Sequence, residues 1–376
     1  MKKVTLALFF VVAGIVLSAV YAQDQSTELR HFEPKQSNYE GVVLDSIKID
    51  DGNQRVIIEI TNGDKKGKSV ELITGLKISE NLVGYQKGDK ILLLSLQDPA
   101  SNTETYYITD FNRTNSLFWL FILFAFVVLI VSRKYGLNSL IGMAYSFFII
   151  FKFILPELLK GHNPLLIAIL GALFIAPVTF YLSHGFNRKT SVALISTIIA
   201  LFFTGIISLI FINISKLTGF GSDEAFFLQV AREGIVNIKG IFLAGIIIGT
   251  LGILDDVTVT QSSIVYQLKS SVRGIGDWEL YKKAMEVGHD HIASTVNTLV
   301  LVYTGAALPL LLLFINSSKS FGEAINAEII ADEVVRTLVS SIGLVLAVPI
   351  STILAVYFIT PSQKNTESKI YRNHHI

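Results

Sequence analysis

The chain has 376 residues, 51% of them hydrophobic and 16% charged, with a net charge of +1 and a mean hydropathy of +0.55. That balance excludes an ordinary soluble domain and indicates a polytopic membrane protein whose first partner is the lipid bilayer. Basic residues in short clusters offer no nucleic-acid face, and the lack of cysteine excludes disulfides, thiolate metal sites and thiol catalysis.

Met1-Lys2-Lys3, an apolar run from Val4 to Val20, and small residues Val20 and Ala22 flanking Tyr21 read as a secretory signal over 1–22. An uncleaved signal anchor is the alternative, since the run approaches the roughly 18 residues that span a bilayer. Either reading places the next segment outside the cytoplasm.

Residues 23–113 form an extracytoplasmic β-rich domain by pattern. Alternating runs at Val42–Ile49, Arg55–Thr61, Ser69–Ile73, Ile91–Leu96 and Thr105–Ile108 predict five strands. Asp50-Asp51-Gly52-Asn53, Asn62-Gly63-Asp64 and Lys87-Gly88-Asp89 supply turns. Five short strands in so short a stretch suit a closed or half-closed barrel of the OB or SH3-like kind, able to serve as lid, filter or docking surface for an extracytoplasmic protein.

After Arg113 the pattern predicts seven transmembrane helices over 114–360, near 115–132, 137–156, 164–183, 190–213, 239–267, 292–315 and 334–360. Starting outside, Arg133-Lys134, Arg188-Lys189, the Lys269–Lys283 segment and the tail 361–376 with Lys364, Lys369 and Arg372 all fall in the cytoplasm. The outer loops are poorer in Lys and Arg, so the positive-inside rule agrees with the secretory start. Lys152 lies near a span end and can snorkel. A short helix is expected from Ser222-Asp223-Glu224 to about Glu233, and another from Asp277 with Trp278, Tyr281 and Met285 on one face. The fold class is thus an α-helical polytopic membrane protein carrying a small β-barrel-like domain.

Chemistry concentrates at Gly252-Ile253-Leu254-Asp255-Asp256-Val257-Thr258-Val259-Thr260-Gln261, the only charges between Lys239 and Lys269. Ionisable groups inside a bilayer are costly and mark ion paths, proton relays or substrate sites. The period-two β-branched run from Val257 to Thr260 predicts a break in the helix, and Thr258-x-x-Gln261 fits a capping box that would reopen it. Gly245, Gly249 and Gly252 recur at helical spacing, a small-residue face for a neighbouring helix. Asp255, Asp256, Thr258, Thr260, Gln261 and Ser262 are therefore the ion- or substrate-binding candidates, an oxygen set suited to Na⁺, a proton or a hard divalent ion. The competing reading ends the span at Leu254 and makes the Asp pair a helix cap.

A second cluster, Gly288-His289-Asp290-His291-Ile292-Ala293-Ser294-Thr295-Val296-Asn297-Thr298, opens the next span. Asp290, Ser294 and Asn297 share a helical stripe, so Asp290 and Asn297 join the binding candidates. His289 and His291, with His184 in His184-Gly185-Phe186-Asn187-Arg188-Lys189, are gating or proton-relay candidates. Asp290 capping a helix start beside interfacial histidines is the structural alternative. Pro309 predicts a kink.

Two further functions stay open beside a permease or ion-coupled transporter. One is a metal-dependent hydrolase or transferase using Asp255, Asp256, His289 and His291 as ligands. The other is a non-catalytic assembly or signalling protein acting through the outer domain.

The stretches Gly249-x-x-Gly252 through Gln261, Asp290 through Val300 and His184 through Lys189, with Tyr106-Tyr107 and Asp110-Phe111 ahead of the first span, resemble the YibE/F-like family of bacterial multi-pass membrane proteins. The resemblance implies a bacterial plasma-membrane location and the importance of these residues. It assigns no activity or cofactor.

Overall fold

The computed structural model describes residues 35–49, 53–75, 84–97, 103–232, 234–272, 274–316 and 320–359. The expected signal sequence and cytoplasmic tail fall outside these residues. Two compact units meet in sequence between Val131 and Ser132.

All five expected strands form: β1 Lys35–Ile49, β2 Asn53–Ile60, β3 Ser69–Gly75, β4 Lys90–Gln97 and β5 Glu104–Phe111. They make one antiparallel sheet in the order β3-β2-β1-β4-β5. β1 is longer than its apolar run because its first half pairs with β4 and its second half with β2, the ladder shifting register between Val43 and Asp45. Such a bulge increases local twist and lets a sheet curl into a half-barrel. Alternation places Val56, Ile58 and Ile60 of β2 and Ile91 and Leu93 of β4 inside, with Tyr39, Val43 and Tyr106. Gly41 is required here, since a Cβ would stand 2.5 Å from Ile58 Cγ2.

One edge of the half-barrel is tied by charge. Glu104 accepts hydrogen bonds from Lys65, Ser95 and Tyr106, and Lys65 lies near the rings of Tyr39 and Tyr106. The Lys65 hydrogen bond, then that of Ser95, holds the Glu104 carboxyl down to about 2. Its folded value lies below the ordinary 4.5, so the stabilisation is present above that value and is lost as pH falls toward about 2. Glu104→Gln is expected to weaken the half-barrel by about 1 kcal/mol at neutral pH, the side chains being partly solvated. Hydrogen–deuterium exchange of β4 and β5 amides should then lose its pH dependence in that acid window, and an unchanged dependence would show that the carboxyl does not matter.

The helices are α1 Thr114–Ile149, a π-helical segment Ile150–Ile154, α2 Leu155–Leu159, α3 Pro164–His184, α4 Arg188–Ile214, α5 Asp223–Ala231, α6 Ile238–Ser271, α7 Asp277–Ala306, α8 Leu308–Ile315, α9 Phe321–Ile325 and α10 Glu328–Phe358. Asparagine starts three of them: Asn163 Oδ1 accepts from Leu165 N, Asn187 Oδ1 from Thr190 N and Asn237 Oδ1 from Gly240 N. Ser222 caps α5 as expected, its Oγ accepting from Ala225 N.

Among the described residues five helices are long and apolar enough to cross a membrane, or six when the bent pair α7 and α8 is one span. The expected seven differs because the first two spans run on as one 46-residue helical stretch, Thr114–Leu159. Arg133 interrupts it with φ 48 and ψ −121. The chain bends by 66° between α7 and α8, where Pro309 removes an amide donor.

Within the larger unit α4, α6 and α10 pack on one another, with α3 against α6 and α7 against α10 and α6. Small residues let these backbones approach: a Cβ on Gly343 of α10 would collide with Thr204 Oγ1 of α4. Each helix interior also carries hydroxyls, including Thr197, Thr204 and Ser208 on α4, Thr250 and Thr258 on α6, and Ser340 and Thr352 on α10. They bond back to carbonyls of their own helices and to one another, as in Thr250 Oγ1···Ser340 Oγ at 2.9 Å. Lipid supplies no competing partners, so such bonds hold helices in register at roughly 0.6 kcal/mol each.

Candidate functional site

Asp255 and Asp256 lie in mid-helix, and the expected break is absent. α6 runs unbroken through 34 residues. Thr258 Oγ1 bonds the Leu254 carbonyl oxygen at 2.9 Å, satisfying its hydroxyl inside the helix, and Val257, Thr258 and Val259 are all buried in the bundle. Tertiary packing of β-branched side chains here overrides their preference for extended backbone. The capping box fails for the same reason. Gln261 Nε2 donates to Ala284 O of α7 at 2.9 Å and to Thr352 Oγ1 of α10 at 2.8 Å, which makes it a three-helix tie. The alternative of an Asp cap at a new helix start falls with the break.

The two carboxylates occupy different surroundings. Asp256 is exposed, on the same face as Gly245, Gly249 and Gly252, which are also exposed. Among the described residues no helix packs closely on this small-residue face: a Cβ at Gly245 or Gly252 would meet nothing within 4 Å, and one at Gly249 only the Tyr303 hydroxyl of α7, at 3.8 Å. The result is an open strip of α6 floored by glycine, with a carboxylate at its end. Asp255 is half-buried, and its Oδ1 is buried without a hydrogen-bond partner.

Of the neutral candidates, Thr258 is committed to Thr197 Oγ1 at 2.8 Å, and Gln261 to its two ties. They shape the bundle rather than offer free ligands. Ser262 is buried with an unpartnered Oγ, while Thr260 is half-buried.

The second cluster is partly brought to the first. α7 runs antiparallel to α6, with Ala284 beside Gln261 and Tyr303 beside Gly249, so the His291–Val296 turn lies at the level of the Asp pair. His291 is half-buried, and its Nε2, like Asp255 Oδ1, is buried without a partner. His289, Asp290, Ser294 and Asn297 are exposed. Asp290 caps nothing, because α7 begins at Asp277 and continues past it. Trp278 stacks on Tyr281 in its first turn, with ring centroids 5.4 Å apart.

His184 ends α3 in a turn built by Gly185 at φ 75, where Asn187 Nδ2 donates to the His184 carbonyl oxygen at 2.9 Å. α3, which His184 ends, packs against α6, which carries Asp256. Among the described residues no three of His, Cys, Asp or Glu converge as metal ligands, and the proposed set Asp255, Asp256, His289 and His291 does not gather.

Asp332 and Arg336 of α10 were not among the candidates. Asp332 is 6% exposed, with Oδ1 lacking a partner, and Arg336 Nε is likewise unpartnered. Their sequence signal is an Asp and an Arg four residues apart at the head of an apolar helix, masked by starting the span at 334.

These features define a multi-pass helical membrane protein with an antiparallel half-barrel ahead of its helices. A model of the YibE/F-like protein family matches residues 120–361, and the chain belongs to that family. The match begins inside α1, so Tyr106-Tyr107, Asp110-Phe111 and the rest of the half-barrel carry no family argument. No curated protein and no solved structure matches the chain.

Proposed function

We propose that this chain is a permease of the bacterial plasma membrane that moves a small ion or solute along the glycine-floored face of α6. The observation that carries the reading is the strip Gly245, Gly249, Gly252 and Asp256, which the described residues leave open while the other faces of α6 in this stretch are packed, with Asp255 beside it. Glycine admits close approach of a solute, and a carboxylate at the end of the strip favours a cation or a proton.

Topology follows the same proposal. Divided at Arg133, the 46-residue stretch is about twice the length that a 30 Å core requires and makes two crossings, for seven in all. The signal sequence then starts the chain outside, the half-barrel is extracytoplasmic and available as lid or docking surface, and the tail is cytoplasmic. Purified protein reconstituted into liposomes, tested with Na⁺, K⁺, protons, Mg²⁺ and small organic ions, is expected to show flux above empty vesicles for at least one. Flux equal to empty vesicles across the panel would sink the reading.

A further inference from the structure

Helix α10 presents Glu328, Asp332, Arg336 and Ser340 at steps of four residues, one face of the helix. The loop ahead of α5 closes over the first two. Thr218 N, Thr218 Oγ1 and Gly219 N donate to Glu328 Oε1 at 2.5, 2.6 and 2.9 Å, so that oxygen is fully engaged. Asp332 is held differently. Its Oδ2 fills the space that a Cβ on Gly221 would occupy, and the Gly221 amide hydrogen-bonds the carboxyl group.

The other oxygen, Oδ1, is buried with no partner. Arg336 does not complete it, because its guanidinium lies 5.3 Å from the Phe242 ring centroid and 3.6 Å from Glu333. The charged side chains acting on Asp332 are thus Glu328 and Glu333 on the negative side and Arg336 on the positive. A buried ionised oxygen with no donor is unfavourable, whereas a carboxylic acid leaves a neutral group there. Arg336 one turn away opposes a metal cation in the same place.

Below Asp332 the α4/α6/α10 interface carries hydroxyls in sequence. Ser340 bonds Thr250, Thr204 sits against Gly343, and Thr197 bonds Thr258, whose Oγ1 also reaches the Asp255 carbonyl oxygen at 3.4 Å. These are separate pairs rather than a continuous chain, and each hydroxyl both donates and accepts, which suits a proton better than a metal ion.

We propose that Asp332 is a proton-binding carboxyl, a second site at the far end of the α4/α6/α10 interface from Asp255, and that the proton is the ion coupled to this bundle. The coupling rests on the permease reading; proton binding at Asp332 does not.

A hydrophobic carbodiimide tests the binding directly. It reacts with a carboxylic acid by adding the acid O–H across its C=N bond, a reaction closed to the carboxylate. Full-length protein in detergent micelles, treated at pH 7 and digested for mass spectrometry, is expected to carry the adduct on Asp332 and to lose it in Asp332→Asn. Asp255→Asn should leave the Asp332 adduct in place, and 100 mM NaCl, an excess of on the order of a hundredfold over typical millimolar-or-tighter cation sites, should not protect it. Gly221→Ala, which displaces the carboxyl, should change the labelling several-fold while eluting as folded protein. No Asp332 adduct between about pH 6 and pH 8, about one unit either side of neutrality, or protection by Na⁺, would overturn the proposal. Absence of flux in liposomes with the adduct present would remove the permease reading and leave the proton site standing.

Discussion

Asp255→Asn and Asp256→Asn are each expected to reduce flux on the order of tenfold or more while yielding as much folded protein as wild type. Asparagine keeps the shape of the side chain and removes the charge, so only a role that needs a carboxyl is lost. Folding should not suffer, because a neutral amide is cheaper than a carboxylate to hold within an apolar helix. The two variants also separate the two environments. Asp256, exposed at the end of the glycine strip, is expected to set entry and affinity; Asp255, with its unpartnered buried oxygen, should govern turnover. Flux assays in liposomes over a range of solute concentration read both quantities. Wild-type flux in both variants would mean that the carboxylates serve packing or charge balance alone.

The β-rich unit was readable strand by strand, because alternation in Arg55–Thr61 and Ile91–Leu96 reports directly on one buried face. The long apolar helices were readable from length and hydropathy. Continuity was not. Val257 to Thr260 alternates as a strand would, but the pattern carries no information about Thr197, which takes up Thr258, or about Ala284 and Thr352, which take up Gln261. Those partners lie 61, 23 and 91 residues away in sequence, and they decide the helix. Glycine spacing was misread in a related way. Gly245, Gly249 and Gly252 predict close approach by a helix, yet among the described residues the close helix contacts fall at glycines such as Gly343, Gly288 and Gly171, which carry no spacing signal. Asp332 escaped notice because a charge near a span end is ordinarily solvated. Only the fold shows a loop lying over it.

That contrast between glycines gives the second large effect. Gly343→Leu is expected to lose most of the folded protein, since a Cβ there already collides with Thr204 and overpacking at a tight helix contact costs about 3 kcal/mol. Thr204→Ala should partly restore Gly343→Ala, the milder version, because it removes the atom in the way. Gly252→Leu should behave oppositely. Its Cβ meets nothing within 4 Å, and leucine is a better helix former than glycine by about 0.8 kcal/mol, so the variant should be at least as heat-stable as wild type. It places a bulky side chain one helical turn from Asp256 on the open strip, and flux is expected to fall on the order of tenfold, the loss expected when a path or near-attack position is obstructed. Size-exclusion retention after heating measures the first property and liposome flux the second. A stable Gly252→Leu protein with undiminished flux would move the path away from this face of α6, and a Gly343→Leu protein as stable as wild type would mean that α4 and α10 do not pack as closely as their glycine requires.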